Sequence, residues 1–426
     1  MLQLITGLYR PRIRKGCTTL DVIKIIFILI IIITLLRRHV HMGAAMTIGA
    51  LLMAFLFHLS AAETLGVLIE TVIQPSTLQT ALALMLIMIL ENMMRRNNLL
   101  EKLVMSLKLL LKDYRAVMPV PPAFLGLLPS AGGALFSAPM VSSACIDHEL
   151  TAERKGVINF WYRHVWECVL PLYPAMIIAT EIMGVGMTQF IRNTYPFTLM
   201  AIILGIPYLF FRLQNDRCEN TKTTGSPREK MHELLTIWQD LVKGILPIVT
   251  VLLLFFVVHL PLSASLGIVI LGLAVMMRLS LLKWPSILKE SVSIKILLIL
   301  FGIMIFKNML ESSGAVTALV DLFSNQGISI TILAMVIPFF VAFLTGMSQA
   351  YVAIAFPILL GMMPVVDLPL MALAYVSGFA GLMLSPMHLC LVLTSEFFQA
   401  RMGKMILMMV PPLCVMVGVG WLLTQI

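Results

Sequence analysis

Ionisable side chains inside apolar sequence are the first candidates for chemistry, because a charge at membrane depth is costly and usually indicates function. The stretch "NFWYRHVWECVLPLYP" contains Arg163, His164 and Glu167. Arg163 and Glu167 are four positions apart, so on a helix they share a face and can form an ion pair. Two interpretations stay open: the pair locks a helix, or Arg163 contacts an anion while Glu167 or His164 takes up a proton. His388 offers the same choice between packing and a role in coupling.

Small polar residues interrupt two other apolar segments. In "GLLPSAGGALFSAPM", residues 126–140, two prolines enclose five consecutive small residues, a composition that a continuous membrane helix avoids. Irregular backbone at membrane depth must be satisfied by protein or by a water-filled cavity, so the segment predicts a buried turn. A helix N-terminus at such a turn attracts anions. Alternatively, the small residues only let helices pack closely. The candidate solute-binding or ion-binding residues are Ser130, Gly132, Gly133 and Ser137 here, Thr345, Gly346, Ser348 and Gln349 in the second segment, and the amides Asn92 and Asn308.

The composition indicates which elements must position these residues. Of 426 residues, 60% are hydrophobic and 12% are charged, which is typical of a polytopic membrane protein and foreign to a soluble one. Apolar runs near the roughly 20 residues needed to cross a bilayer recur along the chain. The two interrupted segments, about 117–145 and 329–362, are expected to be re-entrant hairpins. Ten transmembrane helices are predicted at about 20–36, 43–58, 76–94, 157–183, 195–211, 240–260, 263–281, 293–310, 369–396 and 404–424.

The distribution of charge predicts an orientation in the membrane. A formal charge of +9 would suggest nucleic acid for a soluble protein, but here Lys and Arg lie in short loops, where the positive-inside rule accounts for them. We therefore expect no nucleic-acid partner, and a multi-pass protein of the cell membrane. Acidic loops near 63–70, 311–321 and 367 are predicted outside. Basic loops at 95–115, 213–240, 278–289 and near 401 are predicted on the cytoplasmic side.

An internal similarity relates the two halves of the chain. "IMILENM" at 87–93 matches "IMIFKNM" at 303–309 in five of seven positions, at an offset of 216, and "LLPSAGGA" falls on "FLTGMSQA" at the same offset. The loop charges orient the two copies oppositely, which predicts an all-α fold of two inverted-topology repeats, as in many secondary transporters. The expected divisions are an N-terminal extension at 1–19, a first half at 20–211, a cytoplasmic linker at 212–239 and a second half at 240–426.

Motifs for enzymes and cofactors are missing from the sequence. The six cysteines are scattered without a CxxC spacing, so neither a disulfide framework nor a metal site is predicted. No P-loop, "GxSG" or "HExxH" motif occurs. A dyad of Ser130 or Ser137 with His164 stays as the intramembrane-enzyme alternative. We expect a non-enzyme without cofactors, and an ion channel is a further alternative because the same hairpins can line a pore.

The block "PSAGGALFSAP" and the ten predicted spans resemble the integral membrane family called domain of unknown function 401, which is grouped with the ion transporter superfamily. The resemblance covers the chain from about Asp21 onward. It implies an inverted-repeat carrier in which two re-entrant hairpins form the site. Dicarboxylate carriers of that superfamily have a Ser-Asn-Thr signature at each hairpin tip, whereas the tips here read "PSAGG" and "GMSQA", so their substrate is not carried over. The expected function is secondary transport of a small polar or anionic solute coupled to H+ or Na+, and a homodimer is compatible with it.

Overall fold

The computed structural model describes residues 19–110, 117–128, 133–144, 150–210, 227–277, 284–315 and 328–425. These residues form nineteen helices and no strand. The first half contains α1 Thr19–Arg37, α2 Met42–Leu56, α3 Ala61–Ile73, α4 Pro75–Arg96, α5 Leu99–Leu110, α6 Val120–Leu125, α7 Gly133–Ala144, α8 Ala152–His164, α9 Pro174–Met183 and α10 Met187–Phe210. The second half contains α11 Pro227–Phe256, α12 Leu262–Met276, α13 Trp284–Ser291, α14 Ile294–Ser312, α15 Ile330–Thr345, α16 Ser348–Gly361, α17 Leu368–Leu384, α18 Leu389–Phe398 and α19 Met402–Leu423.

Several helices begin at a side-chain cap that the sequence provides. Ser60 and Glu63 form a capping box at the start of α3, with each side chain bonding the other residue's backbone N–H. The Thr151 hydroxyl accepts from the Arg154 N–H at the start of α8, and Asp367 accepts from the Leu370 N–H at the start of α17. Each cap satisfies an amide that has no partner within its helix.

Within the described residues, four helical segments are long and apolar enough to cross a membrane: Pro75–Arg96, Leu234–Phe256, Leu368–Phe398 and Met402–Leu423. Shorter apolar helices accompany them, including α2, α12, α15 and α16. Large apolar side chains such as Phe55 and Val275, 75% and 78% exposed, point away from the protein. Together with the composition, these segments identify a membrane protein.

Two of the predicted spans contain a break that the sequence analysis did not predict. The span at 157–183 is divided into α8 and α9 by residues 165–173, which we call the first break. The span at 369–396 is divided into α17 and α18 by residues 385–388, the second break. Pro171 and Pro386 lie within these breaks, and a proline removes a backbone N–H from the helix. The expectation that Arg163 and Glu167 share a helix face is therefore wrong, because α8 ends at His164.

The two interrupted segments each contain a pair of contacting helices. Helices α15 and α16 are joined by Gly346 and Met347, and Gly346 has a φ of 66°. Helices α6 and α7 make the corresponding contact, and residues 129–132 between them lie outside the described residues. The predicted turn at "GMSQA" is thus present in the second segment.

The internal similarity extends to the helix boundaries. Helices α9 and α18 both have ten residues and begin 215 positions apart, at Pro174 and Leu389. Helices α10 and α19 begin 215 positions apart, and α2 and α12, with fifteen residues each, begin 220 positions apart. A His in the left-handed region precedes each member of the last pair, His39 and His259, both with a φ of 60°.

Helix α17 lies in the centre of the packed core, with every side chain from Leu370 to Leu384 buried. Its Gly381 lets the backbone approach α15, since a Cβ at this position would collide with the Phe339 carbonyl oxygen. Helices α2 and α14 approach in the same way through Gly43 and Gly302. The contact at Gly381 holds α15 against α17, the helix that ends at the second break.

Candidate functional site

A cavity of about 700 Å³ lies between the two halves of the chain, and we call it the central cavity. The first half contributes residues of the first break and the end of α4 that is predicted to face the cytoplasm. The second half contributes α13, the start of α14, and the N-terminal ends of α16 and α18. Both halves therefore supply walls of one chamber.

Of the helix N-termini at this cavity, three lie where an apolar segment of the chain is interrupted. Helix α9 starts after Tyr173, α16 after Met347 and α18 after His388. None of these three residues caps its helix with a side-chain hydrogen bond. First-turn amides carry the positive end of the helix dipole, so this arrangement favours an anion or an electronegative group in the cavity.

Side chains from the end of α8 and from the first break satisfy the carbonyl end of α6. Arg163 donates from a guanidinium nitrogen to the Leu125 carbonyl. The Trp166 Nε1–H donates to the Ala123 carbonyl at 2.8 Å, and the Tyr173 hydroxyl donates to the Gly126 carbonyl at 2.6 Å. The last carbonyls of a helix have no partner within it, so these donors hold the short α6 in place. Arg163 consequently has a structural contact as well as a position on the cavity wall.

The second break does the same for α15. The Ser385 hydroxyl donates to the Phe343 carbonyl at 2.7 Å, and His388 Nδ1 lies 2.9 Å from the Gly346 carbonyl oxygen. Tyr173 and His388 are 215 positions apart, and each precedes the first residue of a broken helix. In both halves, therefore, the residue that precedes the broken helix contacts a glycine carbonyl.

The two histidines meet at the inner end of the cavity. His164 Nε2 and His388 Nε2 are 3.1 Å apart, with ring centroids at 5.1 Å. His164 Nδ1 lies 2.7 Å from the Phe160 carbonyl oxygen, and a Glu167 carboxylate oxygen lies 3.8 Å from His164 Nε2. The Cys390 sulfur completes a group in which the ligand atoms of His164, His388 and Cys390 lie within 4.8 Å of one another. We call these three residues the histidine–cysteine cluster.

The other end of the cavity is lined by charged pairs. Arg95 and Glu91, one turn apart on α4, form an ion pair at 2.7 Å. Arg96 pairs with Glu290 on α13, which joins the first half to the second. The polar residues along this wall, including Asn92, lead from the exposed end of α4 toward the histidine–cysteine cluster.

Residues 19–426 match the model of a family described as protein of unknown function DUF401. The chain belongs to the DUF401 family. Among curated proteins, none matches the chain significantly. The family resemblance drawn from "PSAGGALFSAP" is thereby confirmed at the level of DUF401.

The structure of this DUF401 protein brings most of the predicted site residues together. Those that line the central cavity are Asn92, Arg163, His164, Glu167, Gly346, Ser348, Gln349 and His388. Tyr173 and Cys390 also line it and were not predicted from the sequence. The sequence feature that could have indicated Cys390 is its position two residues after His388, because two side chains with that spacing at the start of a helix can reach the same site.

Other predicted site residues have different contacts. The Thr345 hydroxyl donates to the Val341 carbonyl within its own helix at 2.7 Å. Ser137 donates to Asn159 Oδ1 at 2.6 Å, and the Asn308 amide donates to the Thr71 hydroxyl at 2.8 Å. Gly133 begins α7, whereas Ser130 and Gly132 lie outside the described residues.

Proposed function

We propose that this DUF401 protein is a secondary active transporter, a permease that moves a small polar or anionic solute across the cell membrane. The observation that carries the proposal is the convergence of three broken-helix N-termini from both halves on one cavity. Transporters with inverted repeats bind their substrates at such discontinuous helices, between the repeats and near the middle of the bilayer. Membership of the ion transporter superfamily is part of this proposal.

Contacts between the two halves support an inverted topology. Arg96 pairs with Glu290, which follows the loop at 278–289, so this contact joins two regions that the loop charges assign to the cytoplasmic side. Arg401, from a third such region, donates to Glu153 at the start of α8 at 3.0 Å. The Arg401 guanidinium holds the pKa of the Glu153 carboxyl below its usual value through this hydrogen bond. Asn308 bonds Thr71 next to loops assigned to the outside. The two helix pairs, α6–α7 and α15–α16, would then be re-entrant hairpins that enter from opposite faces.

The size and polarity of the cavity support a small solute. A volume of about 700 Å³ is within the usual range of small-molecule sites. The first-turn amides of α9, α16 and α18 and the Arg163 side chain favour negative charge, while the hydroxyl of Ser348 and the amide of Gln349 offer neutral contacts. A small carboxylate or a similar oxyanion fits this lining.

The coupling ion is H+ or Na+ in this proposal. His164, His388 and Glu167 are groups that bind protons, and they lie beside the solute region rather than at the surface. The turn between α15 and α16, around Gly346 and Ser348, offers hydroxyl and carbonyl oxygens, which are the type of ligand that a hard cation such as Na+ prefers. Alternating access would move one side of the cavity against the other, with the charged pairs of α4 near the cytoplasmic opening.

Two other functions make different experimental predictions. A channel would pass ions without saturation, and an intramembrane enzyme would release a modified product. The dyad of Ser137 with His164 has no support from the geometry, because the Ser137 hydroxyl donates to Asn159 and His164 Nε2 faces His388.

The function is tested with purified protein in two steps. A thermal-stability screen against small carboxylates, phosphate, sulfate and amino acids, with and without Na+ and at several pH values, selects a solute, since a bound ligand stabilises the folded state. Proteoliposomes are then loaded with that solute. A transporter gives saturable uptake and counterflow that depends on an H+ or Na+ gradient. Flux that rises linearly with concentration, or a chemically altered solute, would reject the proposal.

Orientation is tested separately by labelling single cysteines in intact cells. Cysteines at Thr151 and Lys404 should react only after the cytoplasmic face is made accessible, whereas cysteines at Glu63 and Val365 should react from outside. These four positions are exposed, so each thiol is available to the label. Thr151 and Lys404 labelling from opposite faces would contradict the inverted topology.

A further inference from the structure

The hydrogen bonds of the two histidines fix where their ring protons lie. His164 Nδ1 faces the Phe160 carbonyl oxygen at 2.7 Å, and His388 Nδ1 faces the Gly346 carbonyl oxygen at 2.9 Å. A carbonyl oxygen only accepts hydrogen bonds, so each Nδ1 carries the proton of the neutral ring. Each Nε2 then has a lone pair and no hydrogen.

These two lone pairs face each other. The Nε2 atoms are 3.1 Å apart, and two acceptors at that distance repel unless a cation lies between them or beside both. The Cys390 thiol supplies at most one proton for two lone pairs. A backbone carbonyl that orients a histidine through Nδ1 is also the usual outer contact of a metal-binding imidazole.

We propose that His164, His388 and Cys390 bind one Zn²⁺-class metal ion. This inference goes beyond transport and does not depend on it. Two ligand nitrogens at a tetrahedral Zn²⁺ are about 3.3 Å apart, close to the observed 3.1 Å, and the sulfur lies within 4.8 Å of both. A shift of the sulfur by at most about 1 Å would give a bonding distance of roughly 2.3 Å. The Glu167 carboxylate, 3.8 Å from His164 Nε2, supplies the fourth ligand or leaves that position to a solute.

The donor set also selects the class of metal. Two imidazoles and a thiolate favour Zn²⁺ and related borderline-soft ions over Mg²⁺ or Ca²⁺, which prefer oxygen. His164 comes from the first half, whereas His388 and Cys390 come from the second, so the ion would join the halves at the wall of the central cavity. The proposal replaces the expectation of no metal site, which rested on the absence of a CxxC spacing.

The experiment uses the full chain, purified in detergent, treated with a chelator, and titrated with Zn²⁺ alone. We expect one Zn²⁺ per chain by equilibrium dialysis and elemental analysis. Co²⁺ in place of Zn²⁺ should give a sulfur-to-metal charge-transfer band, which reports ligation by a thiolate. His164→Asn and His388→Asn keep a donor near the position of Nδ1 and remove Nε2, so each should weaken binding at least tenfold. His58→Asn is the matched control, because His58 is exposed and its left-handed backbone suits Asn.

Cysteine variants and thiol protection give a second readout. Cys390→Ser should abolish the Co²⁺ band, while Cys168→Ser, which changes a buried cysteine outside the cluster, should leave it intact. In the unmodified chain, Zn²⁺ should protect Cys390 but not the exposed Cys414 from alkylation, so the test does not require any variant to fold. Failure to bind Zn²⁺, equal binding by the histidine variants, or alkylation of Cys390 unaffected by Zn²⁺ would overturn the proposal and leave a proton shared by the two rings. None of these outcomes decides whether the protein transports a solute.

Discussion

Gly346 is a position at which a single methyl group should be costly for two reasons, backbone conformation and close packing. Its φ of 66° is in the left-handed region, and a Cβ would lie 2.6 Å from the Met387 carbonyl carbon and 2.7 Å from the His388 nitrogen. Both atoms belong to the backbone of the second break, which the Gly346 carbonyl also binds through His388 Nδ1. Gly346→Ala therefore strains the turn and displaces the residue that faces His164.

The chain provides a control that separates these two effects. Gly184, at the end of α9, has a φ of 65° and open space around its Cβ position. Gly184→Ala should thus cost only the left-handed strain, about 1–2 kcal/mol. Gly346→Ala adds overpacking of about 1–3 kcal/mol, for a total near 2–5 kcal/mol. Gly267→Ala, within α12 and also in open space, should be neutral or stabilising by up to about 1 kcal/mol.

The assay is the free energy of unfolding of the three variants in mixed micelles titrated with dodecyl sulfate, followed by solute uptake and Zn²⁺ titration. Gly346→Ala should reduce uptake and metal binding even where the protein is folded, whereas Gly184→Ala should affect stability alone. Equal losses of stability at Gly346 and Gly184, or full activity of Gly346→Ala, would refute the assigned packing of the second break.

Two further predictions follow from buried polar contacts. Asn159 accepts from the Ser137 hydroxyl and donates to Thr394, so Asn159→Ala should destabilise by about 1–3 kcal/mol. The control is Asn193→Ala, because the half-buried Asn193 makes only a solvent-exposed hydrogen bond, and it should change stability by less than about 0.5 kcal/mol. Unfolding titrations showing equal effects would contradict this network. Arg163→Leu should lower the free energy of unfolding by about 3–5 kcal/mol. Adding Glu167→Gln should recover only part of this loss, because the carbonyl end of α6 stays without its donor. Complete recovery in the double variant would mean that charge neutralisation is the whole role of Arg163.

Sequence patterns predicted the parts of the fold that depend on local chemistry. Several of the apolar runs became helices with nearly the predicted limits, because hydrophobic length is a property of consecutive residues. The run at 76–94 lies within α4, and the run at 404–424 corresponds to α19, which covers 402–423. The turn at Gly346 was also predictable, since glycine and small polar residues mark positions where a helix ends. The offset of 215 to 216 residues also predicted corresponding helices in the two halves, and α9 and α18 have the same length.

Tertiary structure decided what those elements bring together. The first and second breaks were not predicted, because a proline inside an apolar run is compatible with either a kinked or an interrupted helix. Asn308 was a candidate solute-binding or ion-binding residue, and in the structure its amide donates to the Thr71 hydroxyl. His164 and His388 are 224 positions apart in the chain and 3.1 Å apart in space, and their two facing lone pairs, with Cys390 beside them, depend on how two separately broken helices pack. No local pattern encodes that distance, because it is set by contacts between the halves rather than by neighbours along the sequence.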